Sequence, residues 1–220
     1  MKIGIALATY NSSGFLSKCL DSILSQKFDG EVKVFACDDA SDDATIFLLK
    51  GYGIDHVTLP KNSGGCAKPY NIAFSYLANT CDAIWKVDSD DYLLRPYAIQ
   101  RMADTLGNHD WVNCHAMGFG EREWELTCNP RATLAEFRQA NQLTAFGMIR
   151  SSVWKESGGF DENCAYEDWE WWVRMLKRGK TYSVVTEPIY AYRTHANQHH
   201  KKTGQQHEAN LNYIIKKHYE

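Results

Sequence analysis

Apolar and polar positions along the first half of the chain switch repeatedly between two periods. Residues 2–9 are rich in Ile, Leu and Ala and read as a buried strand. Phe15, Leu16, Cys19, Leu20, Ile23 and Leu24 then recur at helical spacing, with Asn11 or Ser12 placed to cap that helix. Glu31 to Cys37 alternates as a second strand, a short helix is predicted over 43–50, and His56 to Leu59 is a brief third strand. Tyr70, Ala73, Phe74 and Leu77 return to helical spacing, Ala83 to Val87 is a fourth strand, and Pro96 suits the first turn of a helix reaching 106. This βαβαβαβ order predicts an α/β fold. Parallel neighbours need crossover helices, so the sheet is doubly wound and mostly parallel, with helices on both faces.

The second half is less regular. Asp110 to Met117 and residues 144–150 read as strands, 118–132 as a loop and 151–156 as a short helix stopped by Ser157-Gly158-Gly159. Trp169, Trp172, Val173 and Leu176 mark a helix ending near Gly179. Two strands are expected at 181–186 and 189–193, and a helix over 204–218 with Leu211, Ile214 and Ile215 on one side.

Composition narrows the class. Hydrophobic residues are 44% and charged residues 23%, an ordinary globular balance that excludes disorder. The net charge of −3 argues against a nucleic-acid partner. No apolar run approaches the ~18 residues of a membrane span, and the N-terminal stretch is too short for a signal peptide. Seven cysteines, an odd number with no CxxC pair, point to reduced thiols in a cytosolic protein and away from a disulfide framework or zinc site. Aromatic residues reach 13%, with seven Trp, which serve either core packing or stacking on a flat ligand.

The polar clusters fall where strands end: Tyr10-Asn11, Asp38-Asp39, Asn62 to Lys68, and Asp88 to Asp91. Parallel strands bring all four to one sheet edge, the place where open α/β sheets bind ligands. Three carboxylates in Asp88-Ser89-Asp90-Asp91 repel one another unless donors or a cation compensate; hard oxygen ligands suit Mg²⁺ or Mn²⁺ completed by phosphates. In an extended segment 88 and 90 share a face while 91 points elsewhere. The plainer alternative is a solvated acidic turn capping the next helix. Within Asp38 to Asp43, Ser41 or Asp42 reads as an N-cap, whereas Asp39 at the strand terminus can accept from a base or a ribose hydroxyl. Tyr10 offers a ring for a base, and Lys68 a charge for a diphosphate. Glu167-Asp168 opens the Trp-bearing helix, so one acid can face a cleft as general base while the other braces it; an acidic first turn is the alternative. His195 is a single-histidine candidate for a carboxylate-bound metal, whereas a zinc pair of His195 with His199 is not expected.

Ala8-Thr9-Tyr10-Asn11, Cys37-Asp38-Asp39-Ala40-Ser41, Asn62-Ser63-Gly64-Gly65 through Lys68 and Asn71, Asp88-Ser89-Asp90-Asp91, Gly158-Gly159-Phe160-Asp161 and Tyr166-Glu167-Asp168-Trp169 together resemble the family 2 glycosyltransferases of GT-A fold. The resemblance implies inverting transfer from a nucleotide-diphosphate sugar, most often UDP-linked, to a hydroxyl of a glycan or lipid-linked acceptor. It implies that Ala8, Thr9, Tyr10, Asn11, Asp39, Asn62, Lys68, Asp88 and Ser89 bind the nucleotide-sugar. Asp90, Asp91 and His195 would serve Mn²⁺ or Mg²⁺, and Asp168 would be the catalytic base with Glu167 supporting it. Residues 1–108 would form the donor half, 109–200 the acceptor and catalytic half, and 201–220 a helical tail. The expected location is cytoplasmic, with any membrane contact peripheral. Lys68 departs from the Arg common at its position, and the absence of Gln-x-x-Arg-Trp points away from a processive polymer synthase.

Two other functions compete. A non-catalytic carbohydrate-binding module would use Trp124, Trp169, Trp171 and Trp172 as stacking platforms. A sugar-phosphate nucleotidyltransferase would carry a Gly-rich, Arg-bearing loop after the first strand, and Thr9 to Gly14 lacks one.

Overall fold

Nine strands join one sheet among the described residues, which in this computed structural model are 1–121, 123–195 and 207–220. They are β1 (Lys2–Thr9), β2 (Glu31–Asp38), β3 (Asp55–Thr58), β4 (Ala83–Asp88), β5 (Tyr92–Leu93), β6 (Trp111–Gly120), β7 (Trp124–Leu126), β8 (Met148–Arg150) and β9 (Tyr182–Thr194). The spatial order is β3-β2-β1-β4-β8-β6-β9-β5, with β7 paired to β6. The first four strands are mutually parallel, as their crossover helices require. Beyond them the sheet is mixed: β8 runs antiparallel to both β4 and β6, whereas β6 and β9 are parallel.

Alternation along the strands divides the core into two layers. Ile3, Ile5 and Leu7 of β1 and Trp85 and Val87 of β4 pack beneath α1 (Leu16–Leu24), α2 (Thr45–Gly51) and α4 (Ala98–Leu106). Ala6 and Ile84 face the opposite layer with α3 (Ala67–Leu77), α6 (Ser151–Ser157), α7 (Glu167–Lys177) and Ile214 of α8 (His207–His218). Helices therefore cover both faces, as the doubly wound reading expects. The short α5 (Leu134–Phe137) was not expected; Thr133 and Glu136 form its capping box.

Several local expectations are corrected. Ser12 does not cap α1, which begins at Leu16; its hydroxyl instead meets that of Ser89 at 2.8 Å. Ser41 does not cap α2 but donates to Asp38, and Asp43 accepts from the Thr45 N–H at 2.9 Å as that helix begins. The segment 118–132 is not all loop, because β6 runs on to Gly120 and pairs with β7. The two strands expected over 181–193 are one, with its register to β6 shifting around Pro188, which has no N–H to give the ladder. Trp169, Trp171 and Trp172 are 3%, 0% and 1% exposed and belong to the core, so they offer no platform to a glycan. Trp124 lies flat over Gly118, where an added Cβ would meet its ring at 2.4 Å.

Candidate active site

The parallel register brings the polar strand ends level: Thr9 pairs with Asp38 and Ala8 with Asp88. The Thr9 hydroxyl is turned inward and donates to Asp38 at 2.9 Å, locking the ends of β1 and β2 together. Past this lock the chain turns sharply, and Asn11 (φ 48°) and Ala40 (φ 64°) both adopt left-handed backbone that disfavours side chains. The two turns brace each other: Asn11 N–H donates to Ser41 Oγ at 2.9 Å, and Asn11 Oδ1 accepts from Asp42 N–H at 3.0 Å. Tyr10 is left 53% exposed beside them. Asp39 is buried under the next loop, where its carboxylate accepts from the N–H and hydroxyl of Ser63 at 2.8 and 2.9 Å. Asn62 shapes the same loop, donating to the Asp39 carbonyl and accepting from Gly64 N–H. Lys68 is exposed in the first turn of α3.

The acids after β4 separate into three environments. Asp88 is partly open and accepts from the Tyr70 hydroxyl. Asp90 lies 3.0 Å from Nε2 of His195, whose ring rests 4.9 Å from that of Phe15. Burial and then the Asp88 charge push Asp90 upward, with His195 offsetting part. Asp91 is 1% exposed and accepts from the Arg193 N–H at 2.7 Å, so it tethers β9 and presents no face to the cleft. Ser89 is buried against Ser12. Among the described residues no three His, Cys, Asp or Glu side chains converge on one point. The described pair that could serve a divalent ion is Asp90 with His195, a hard oxygen plus an imidazole, a chemistry that would suit Mn²⁺ or Mg²⁺ were ligand phosphates to complete the shell. His199 and His200 lie outside the described residues.

On the other side of β4, α7 presents its two leading acids in different directions. Glu167 is 4% exposed and turned onto Lys86 Nζ at 3.2 Å and Cys66 Sγ at 3.1 Å. Asp168 faces a cleft of about 390 Å³ shared with Tyr166, Tyr192, Phe146 and Thr144, and accepts from Asn141 Nδ2 at 2.9 Å. Burial, then the Glu167 charge, pushes its carboxyl up to about 6, against Lys86 and the Asn141 hydrogen bond. The loop entering α7 is held by Asn71, which accepts from Phe160 N–H at 2.7 Å and donates to Phe160 carbonyl at 3.0 Å. Gly159 (φ 83°) makes that approach possible, since a Cβ there would sit 2.9 Å from Asn71 Oδ1.

Two residues of this site carry no sequence motif. Lys86, in the middle of β4 and 3% exposed, joins Asp88 (3.7 Å) to Glu167. Burial opposes its charge, but Asp88 and Glu167 outweigh that and hold it well above the usual lysine range. Asn141 orients Asp168 from 27 residues away. A lysine inside an otherwise apolar strand, two positions before Asp88 and so on its face, was a signal available in the sequence.

Residues 5–153 match the family model for glycosyl transferase family 2. The chain belongs to that family. Among its relatives, the poly(ribitol-phosphate) beta-N-acetylglucosaminyltransferase TarS of Staphylococcus aureus is 25% identical over 93% of this chain and 37% of its own length. A poly(ribitol-phosphate) beta-glucosyltransferase of Bacillus spizizenii is 29% identical over 87% of this chain and 32% of its own. The chain thus spans about a third of the length of these curated relatives. The crystal structure of TarS residues 1–349 with UDP superposes at TM-score 0.74, with 24% identity over 88% of this chain and 61% of that one. A Pyrobaculum calidifontis mannosyltransferase bound to GDP-Man and Mn²⁺ superposes at 0.70, with 17% identity over 95% of this chain and 62% of that one. This family 2 member shares with them the GT-A fold, a mixed sheet layered by helices.

Proposed function

We propose that this chain transfers a sugar from a nucleotide-diphosphate donor, UDP-linked, to an acceptor hydroxyl with inversion at the sugar carbon. The observation that carries the reading is Asp168: a buried carboxyl at about 6 on the wall of a cleft, beside the acid-lined strand ends. A base in that range is ionised at neutral pH and still able to take a proton as the acceptor attacks. Asp168 would accept the acceptor's proton, Asn141 would aim it, and Glu167 would brace the helix start. Tyr10 would stack on the base, Asp39 and Asn62 would form its pocket, Asp88 would meet the ribose, and Lys68 would approach the diphosphate. Asp90 and His195 would hold Mn²⁺ or Mg²⁺, whose chemistry is to stabilise the charge of the leaving diphosphate. The sugar carbon becomes oxocarbenium-like in such a displacement, so one base and one stabilised leaving group suffice.

Residues 1–108 serve the donor in this reading and 109–200 the acceptor, and within the tail α8 supports α7 through Lys217 and His218 on Glu170. Both poly(ribitol-phosphate) relatives make that polymer the first acceptor to try, and the TarS complexes make UDP-GlcNAc the first donor. All seven cysteines are free thiols, in keeping with a cytoplasmic site of action. No described helix is long and apolar enough to cross a membrane. The test is hydrolysis and transfer across UDP-GlcNAc, UDP-glucose and GDP-mannose with Mn²⁺ present. We expect turnover of at least one UDP-sugar that Asp168→Asn abolishes. Undiminished turnover in that variant removes Asp168 from the role, and no turnover or binding of any donor sinks the reading.

A further inference from the structure

Lys86 has no part in the chemistry above. It stands between Trp85 and Val87 on a strand otherwise apolar before Asp88. A desolvated ammonium is costly there, and an apolar side chain would pack the strand without that cost. Its surroundings are specific. Nζ touches Glu167 Oε1 of α7 at 3.2 Å and Asp88 Oδ1 of its own strand at 3.7 Å, and lies 4.6 Å from the centre of the Tyr70 ring of α3. Cys66, just before α3, donates to the same Glu167 oxygen, and the Tyr70 hydroxyl donates to the same Asp88 oxygen. Asp168, next to Glu167, faces the cleft with Asn141, Tyr166 and Tyr192 around it. One cation therefore touches a carboxylate of the donor side and a carboxylate of the base side.

We propose that Lys86 is a positioning residue for the transfer step: by bridging Asp88 and Glu167 it keeps Asp168 ionised and turned toward the acceptor. The proposal rests on the transferase reading. With the ammonium in place, Glu167 is engaged and Asp168 alone is left to exchange its proton with the acceptor. Without it, the Glu167 charge next to Asp168 is left uncompensated, and a proton settles on Asp168 before the acceptor arrives. Lys86 is one of the groups that hold Asp168 down, and it acts from its contact with the neighbouring Glu167 at 3.2 Å, since a positive charge nearby favours the ionised carboxyl.

The test compares the full chain with Lys86→Met, Lys86→Arg and Lys86→Met/Glu167→Gln. The readout is kcat/KM against pH for hydrolysis of UDP-GlcNAc or UDP-glucose, whichever the unaltered protein turns over faster, with Mn²⁺ present. We expect the acidic limb of Lys86→Met to rise by about one pH unit or more, so activity falls far more at pH 6 than at pH 8.5. Lys86→Arg should restore the limb, and Glu167→Gln in the double variant should cancel the displacement. An equal loss at every pH overturns the proposal, because a structural role alone gives that pattern. If Lys86→Met does not fold, the double variant decides: a limb at or below that of the unaltered protein supports the bridge, and one above it overturns it. The same displacement is read without turnover. The pH at which the urea-stability gap between Lys86→Met and Lys86→Met/Asp168→Asn stops widening should lie about one unit above that for the unaltered protein and Asp168→Asn. Loss of all hydrolysis in the unaltered protein would thus fail the transferase reading, while this stability comparison still judges the bridge.

Discussion

Replacing Asp168 with Asn should make the protein inactive and, at neutral pH, more stable. The side chain is buried, accepts one hydrogen bond from Asn141 and sits next to Glu167, and its carboxyl is pushed up from 3.8 to about 6. A folded state that raises a carboxyl in this way binds the proton more tightly than the unfolded chain does. Its contribution is fully present below about pH 3.8 and is lost as pH rises through 6. The displacement corresponds to about 3 kcal/mol across that window. Asparagine has nearly the same shape, can accept from Asn141 through its own oxygen, and carries no charge to desolvate. The two proteins should therefore be similar in stability near pH 4, and Asp168→Asn should gain up to about 3 kcal/mol by pH 7. Urea unfolding followed by fluorescence, with seven Trp as reporters, measures the difference at each pH. A flat difference from pH 4 to 7 would refute the argument, and so would an unaltered protein whose kcat/KM shows no acidic limb near 6. Stability held back at Asp168 is what a preorganised base, in the proposed reading, would cost the fold.

Asp90→Asn is expected to abolish the Mn²⁺-dependent part of UDP affinity; calorimetry with and without the metal measures it, and unchanged metal-linked binding would remove Asp90 from the site. Tyr10→Ala should weaken UDP binding while leaving the melting temperature almost unchanged, because its ring is 53% exposed and packs little of the core. Glu170 is fully buried and joins Arg174, Lys217 and His218 at 3.0, 2.9 and 2.8 Å. Burial pushes it up, but those three partners hold it below the usual range. Glu170→Gln should cost up to about 3 kcal/mol and expose α8 to limited proteolysis before the rest of the chain unfolds. Asn71→Ala removes both bonds to Phe160 and should cost about 2 kcal/mol, with a fall in kcat from the loosened approach to α7.

The parallel half was legible because each element carries its own period and the strand ends carry the acids. Asp91 does diverge from Asp88 and Asp90, but through a turn and not strand alternation: its N–H bonds back to the Asp88 carbonyl at 3.1 Å and its side chain goes inward onto the Arg193 backbone. The mixed half was not, since pairing of β6 with β9, or of β8 with β4, is fixed by contacts far apart in the chain. Trp171 and Trp172 illustrate the limit: a run of tryptophans reads equally as a sugar platform or as core, and only the packing of both rings against Trp111, at 5.5 Å each, decides for core. Lys86 and Asn141 belong to no motif, because each acts on a side chain that the fold alone brings near.

The seam of the sheet explains why the site sits where it does. From β1 the chain winds outward through β2 to β3 and then places β4 on the opposite side of β1, so the strand order reverses between β1 and β4, with β8 antiparallel on the far edge of β4. Ligands of open α/β sheets gather where strand order reverses, because the flanking connections leave in opposite directions and open a crevice. The parallel side can supply only strand-end groups: carboxylates, turns and the Tyr10 ring. In the proposed reading a base approaching an acceptor comes from another direction, from α7, which is anchored through Glu167 to Lys86. That single contact converts the sheet's change of direction into a fixed spacing between donor-side and base-side acids. A loop-borne base would have to be ordered anew for each acceptor, whereas Asp168 in that proposed role would be set when β4 and α7 pack, before any ligand is present.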